Sequence, residues 1–196
     1  MKVAGFDVGR AVRCADGFVV GGDAAIVRNG DNCIVLGVID VLGHGPQAHA
    51  AAAKAEQALV SADSSDAVTL LRILDAALAG TIGAAATVAT VRSDNGLGCF
   101  VGVGNAVARM FGGHERRLVS VDGIVGNRHA SPRPAEFVLD KGDVLVLYTD
   151  GVSSRFDRAD YPQLPSEDVE VSARELIRRF GKTYDDAACI VARRLP

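Results

Sequence analysis

The chain has no tryptophan, and aromatic residues make up only 5% of its 196 positions. That leaves too few flat rings for the stacking platform on which single-stranded nucleic acid is held. Cysteine is scarce as well. Cys14, Cys33, Cys99 and Cys189 stand far apart and form no C-x-x-C pair, which excludes a thiolate zinc site and points to reduced, packed thiols. Positive charge is not gathered anywhere: the net charge is −3 and no basic block occurs, so no nucleic-acid partner is expected. No apolar run approaches the roughly 20 residues of a membrane span. The first residues reach an acid at Asp7 without an apolar signal core, so a soluble, cytoplasmic protein with no membrane contact is expected. Repeats and Ser/Gly- or Pro-rich linkers are also missing, and a single domain over residues 1–196 is the simplest division.

What is present is a globular composition, with 48% hydrophobic residues. Residues 2–28 read as strands broken by glycine, with a bend at Gly21 and Gly22. The "NGDN" at Asn29 to Asn32 predicts a hairpin turn, since Asn and Gly accept positive φ. "CIVLGVID" predicts a buried strand. An alanine-rich helix follows from Pro46 to about Ser61, with Pro46 in its first turn. A second helix is expected over about 66–80, with Leu70, Leu74, Ala77 and Leu78 on one face. From "ATVATV" onward the pattern is of strands, joined by turns at "SDNG" and "GGHE". "AEFVLDKGDVLVLYTDG" reads as a further hairpin turning at "DKGD". The last helix is expected to open with a capping box from Ser172 to Glu175 and to end at Gly181, before a final strand "AACIVARRL". This order is not the strict β-α alternation of a parallel sheet. It predicts an α+β sandwich, antiparallel sheets with helices packed outside. The small alanines would let the first helix lie close on a sheet.

Four places share one chemistry. Asp23 follows "VVGG", Asp40 ends "VLGVI", Asp150 ends "VLVLYT", and Asp185 with Asp186 precedes "AACIVA". One acid at a strand end is ordinary turn chemistry, as at Asp31 and Asp143. Four beside such apolar runs would converge on one rim if the sheets stack, and carboxylates that close repel one another. A divalent cation removes that conflict, and oxygen-only donors suit Mg2+ or Mn2+. The histidines fit less well. His44 and His49 are five apart, roughly 140° around a helix, and are no ligand pair. His44 is placed to line the rim or pack a loop, His114 lies in a turn, and His129 is left open. "GVGNAV" begins like a dinucleotide fingerprint but lacks the third glycine and the following helix. No G-x-S-x-G supports a serine nucleophile at Ser153 or Ser154.

Taken in order, "GGD" (21–23), "DVLGHG" (40–45), "GAAATVATV" (83–91), "GVGNAVARMF" (102–111), "GDVLVLYTDGV" (142–152) and "YDDAACIVARR" (184–194) resemble the metal-dependent type-2C (PPM) protein phosphatases. The likeness is greatest to the short bacterial SpoIIE/RsbX-like branch. The resemblance implies a four-layer α-β-β-α sandwich of two antiparallel sheets, and hydrolysis of phosphoserine or phosphothreonine on a protein. Carried over by motif, Asp40 bridges two metal ions, Asp23 serves the second, and Asp150 and Asp185 serve the first. Asp40, Asp150 and Asp185 then carry the catalysis. Asp186 supports these ligands from behind, and Asn105 orders the rim. The family pattern has Asp-Gly where this chain has Asp40-Val41. The glycine there lends its backbone carbonyl to the metal, a role that Val41 inherits with a β-branched side chain that disfavours positive φ. The implied ions are two Mn2+ or Mg2+. The implied partners are phosphorylated STAS-domain proteins of a stressosome or partner-switching pathway. A catalytically weak pseudophosphatase that only binds a phosphoprotein is the alternative raised by Val41; a small-molecule domain with turn acids is another.

Overall fold

A computed structural model describes residues 1–3 and 5–196. Among the described residues, eleven strands and three helices follow one another in an order that builds two antiparallel sheets. The first sheet contains β1 (Lys2–Val3), β2 (Phe6–Arg13), β7 (Val107–Phe111), β8 (Arg116–Leu118), β10 (Val144–Tyr148) and β11 (Ala187–Arg194). Its spatial order is β1-β2-β11-β10-β7-β8. The second contains β3 (Asp23–Gly30), β4 (Cys33–Val41), β5 (Ala84–Arg92), β6 (Leu97–Val103) and β9 (Ala135–Val138), in the order β3-β4-β5-β6-β9. Helices α1 (Pro46–Val60) and α2 (Ala67–Leu78) cover the second sheet, and α3 (Val169–Phe180) covers the first.

Alternation along each strand produces three apolar layers. Ile34, Leu36 and Val38 of β4 meet Leu145, Leu147 and Ile190 between the sheets. The intervening Val35, Ile39 and Val41 face α1 and α2. On the other side, Val144, Val146 and Tyr148 face Leu176, Ile177 and the loop residue Phe156. The expected α-β-β-α sandwich is therefore observed. As the sequence suggests, α1 lies close on its sheet through Ala48, Ala51, Ala52 and Ala55. A β-carbon on Gly22 would stand 2.9 Å from the Ala48 methyl, so both residues have to be small.

The Asn29–Asn32 turn forms as expected, with Gly30 paired to Cys33 and Asn32 at φ 56°. Two expectations are corrected. "AEFVLDKGDVLVLYTDG" is not a hairpin: β9 pairs with β6 in one sheet, whereas β10 lies between β7 and β11 in the other. The "DKGD" turn carries the chain from sheet to sheet. The last helix starts before Ser172, because the Asp168 side chain already caps it by accepting from Glu170 N at 2.9 Å and Val171 N at 3.0 Å. All four cysteines are free. Among the described residues, no helix is long and apolar enough to cross a membrane.

Candidate metal centre

Asp23 begins β3 and Asp40 nearly ends β4, and the antiparallel register sets them directly opposite each other. Both share a face with residues of the inter-sheet core, so their carboxyls point into the gap between the sheets. Asp150 follows β10 and Asp185 precedes β11, neighbouring strands paired up to Tyr148 and Cys189. The two sheet edges are joined by Thr149. Its buried hydroxyl donates to Asp23 Oδ2 at 2.6 Å and accepts from Ala188 N at 2.8 Å. Just beyond, Gly151 has to be glycine, since a β-carbon there would lie 1.7 Å from the Asp186 carbonyl oxygen.

Electrostatics record how close the four acids are. Burial, then the charge of Asp40, pushes the Asp23 carboxyl far above the carboxylate range, against the lowering effect of the Thr149 hydroxyl. Asp40 is pushed up by burial and by Asp150 and Asp185, and it shares a hydrogen bond with Asp150. Asp185 is raised by burial and by Asp150. The cluster holds protons that no isolated carboxyl would keep near neutrality. Among the described residues, however, no three His, Cys, Asp or Glu side chains are gathered closely enough to hold an ion as they stand.

Asp186 lies behind the rim, although its charge adds a smaller share to the raising of Asp23, Asp40 and Asp185. Its carboxylate is buried and accepts from Ala15 N and Gly22 N, both at 2.7 Å. It ties the loop before β3 to the start of β11, and so fixes the backbone that carries Asp23. Asn105 donates to Asp150 Oδ2 at 2.7 Å. Val41 is an ordinary strand residue with its side chain in the outer core. The only described non-glycine at positive φ is Asn32, so the backbone at Val41 needs no glycine. His44 packs on Phe18, with ring centroids 4.1 Å apart. His49 Nδ1 lies 3.3 Å from the Gly21 carbonyl, and His129 pairs with Asp75 at 3.2 Å. Sequence reasoning missed Thr149, which looks like any strand-end threonine. It also missed a cavity beside Asp150 whose three basic side chains, Arg117, Arg155 and Lys182, come from separate segments.

The profile of stage II sporulation protein E (SpoIIE) matches residues 30–195. The chain belongs to the SpoIIE family. Its fold is that of solved PP2C-type phosphatase domains. A solved structure from work on the bacterial stressosome, described as a modular system adapted to control secondary messenger signalling, is 28% identical with a TM-score of 0.86. The match covers 96% of this chain and 99% of that one. RsbX in complex with magnesium aligns at 17% identity and TM-score 0.83, over 95% and 94% of the two chains. The phosphatase domain of SpoIIE from Bacillus subtilis, with a fragment of its regulatory domain, aligns at 18% and 0.77. There this SpoIIE-family chain is covered to 96% and the other to 62%. No curated protein matches in sequence.

Proposed function

We propose that this chain removes phosphate from phosphoserine or phosphothreonine of a regulatory protein, with Asp23, Asp40, Asp150, Asp185 and the Val41 carbonyl holding two Mn2+ or Mg2+. The observation that carries this is the convergence of four mutually repelling carboxyls from both sheets on one rim. Such a cluster is costly to a metal-free fold, and its hard oxygen donors fit a hard divalent ion. Bound there, the ions would supply an activated water and neutralise charge on the phosphoryl oxygens. The chain's own contribution is placement. Thr149 holds the Asp23 carboxylate, Asp186 holds the backbone just before it at Gly22, and Asn105 orients Asp150. Asp40 stands opposite Asp23 and shares a hydrogen bond with Asp150, so it would hold metal together with both. The substrate is a phosphorylated STAS-domain protein of a stressosome or partner-switching system. Support for it is the likeness to the stressosome-related structure, to RsbX, and to the RsbU and RsbW domains from Mycobacterium tuberculosis.

Hydrolysis of p-nitrophenyl phosphate is expected to need Mn2+ or Mg2+. It should fall at least about a hundredfold in Asp40→Ala and Asp150→Ala, since removing a single group that stabilises transition-state charge typically costs that much. Full activity in both variants, with folding confirmed by circular dichroism, would overturn the assignment.

A further inference from the structure

Asp150 lies on the wall of a second feature that the metal centre does not use. A cavity of about 480 Å³ opens beside it, bordered by Arg117, Arg155, Lys182 and Tyr148. It runs into a neighbouring cavity of about 500 Å³, with Arg117 and Arg155 common to both and Arg109 and Arg116 added. These cations sit on a chain whose net charge is −3, so their concentration here is not a reflection of composition. Among the described residues, Arg117, Arg155 and Lys182 form no ion pair. Asp150 is the one acid of the first cavity; Glu115 and Asp157 border the second.

The framework is rigid. Lys182 N donates to the Gly151 carbonyl and Ser153 N to the Phe180 carbonyl, both at 2.8 Å. Arg155 precedes Phe156, which is buried and stacked on Phe180 with centroids 4.9 Å apart. Arg109 is already engaged, donating to the Phe156 carbonyl and lying over the Phe111 and Phe156 rings. A second observation points independently to a ligand. Tyr148 is only 1% exposed, yet its hydroxyl has no hydrogen-bond partner among the described residues. Buried hydroxyls are almost always bonded; Tyr148 is part of the cavity wall, and the charges of Arg109 and Arg117 act on its hydroxyl.

We propose that this cavity is the specificity subsite: it takes an acidic side chain of the protein substrate, a carboxylate or a second phosphate, next to the phosphorylated residue being hydrolysed. The identity of this occupant rests on the phosphatase reading above. Two arginines and a lysine supply the forked and point-charge donors that oxyanions prefer, and the Tyr148 hydroxyl supplies a neutral one. Because the cavity starts at Asp150, the acidic residue lies close in sequence to the phosphoserine, on the same extended stretch of substrate chain.

Binding tests this without turnover. The full chain is titrated into fluorescein-labelled peptides bearing a non-hydrolysable phosphonate analogue of phosphoserine. The flanking residues are glutamates, a second phosphoserine or alanines, and anisotropy is read. Peptides with glutamate or phosphoserine flanks are expected to bind at least about tenfold tighter than the alanine peptide, the two arms ranking carboxylate against phosphate. That preference should collapse to about onefold in Arg117→Gln/Arg155→Gln and weaken in Tyr148→Phe. Equal affinity for all three peptides, or a preference that survives the double substitution, overturns the subsite. A chain that shows the preference but hydrolyses nothing with Mn2+ keeps the subsite and refutes the phosphatase reading. Hydrolysis with equal affinity for all peptides does the reverse.

Discussion

Val41 stands where the phosphatases that the sequence resembles have glycine, and its surroundings show what the valine does in this chain. The metal-facing role implied there belongs to a backbone carbonyl, which every residue has. Its side chain points the other way, into the layer under α1, where it is 1% exposed beside Ala48 and Ile39. The valine therefore works for the core and not for the rim. Val41→Gly would remove a buried side chain and loosen a strand, lowering the unfolding free energy by about 2–4 kcal/mol in urea melts. The Mn2+ concentration for half-maximal hydrolysis of p-nitrophenyl phosphate should stay within about threefold, less than 1.4 kcal/mol of affinity. A glycine variant that needed tenfold less Mn2+ would show that the valine does crowd the ion.

At the scale of elements, composition and period disclosed most strands and all three helices, because buried strands and amphipathic helices write their periods locally. Pairing is a different matter. "FVLDKGDVLVL" has hairpin chemistry, but β9 and β10 end in different sheets. The turn residues are the same whether the chain folds back on itself or steps across; the choice is made by β6, β7 and β11, far off in sequence. Helix α3 shows the local form of the same difficulty. Ser172 and Glu175 have capping-box spacing, but Asp168 lies upstream and takes the cap. Ser172 is instead fully buried, 3.4 Å from Glu167, and Glu175 pairs with Arg178 and Arg179. Asp168→Ala should cost about 1 kcal/mol in denaturant unfolding, the usual value of a lost N-cap. The half-exposed Glu175→Gln should leave the denaturant midpoint almost unchanged, since ion pairs at the surface contribute little. The reverse ranking would return the cap to Ser172 and Glu175.

At the scale of the molecule, the four acids were legible one by one, but their convergence depends on how the two sheets stack. Asp23 and Asp40 reach the rim from one sheet and Asp150 and Asp185 from the other, with Thr149 as the tie. That arrangement fixes the sign of a pH effect. Asp23, Asp40 and Asp185 have folded-state pKa values above the ordinary carboxylate value. The folded chain therefore holds protons that the unfolded chain has released. Their stabilising share is complete below the unfolded pKa, about 4, and is lost as pH rises through the raised folded values. In a chelator, the melting temperature should rise as pH falls from about 8 to about 6, by about 2–4 °C per kcal/mol for a chain of this size. Mn2+ competes with those protons for the same oxygens. The stabilisation it gives should thus be larger at pH 8 than at pH 6, and should disappear in Asp40→Asn. Thermal scans over this pH range, with and without Mn2+, separate the cases. A melting temperature that falls on acidification in chelator, or a Mn2+ shift that Asp40→Asn keeps, would mean that the acids do not act as one site.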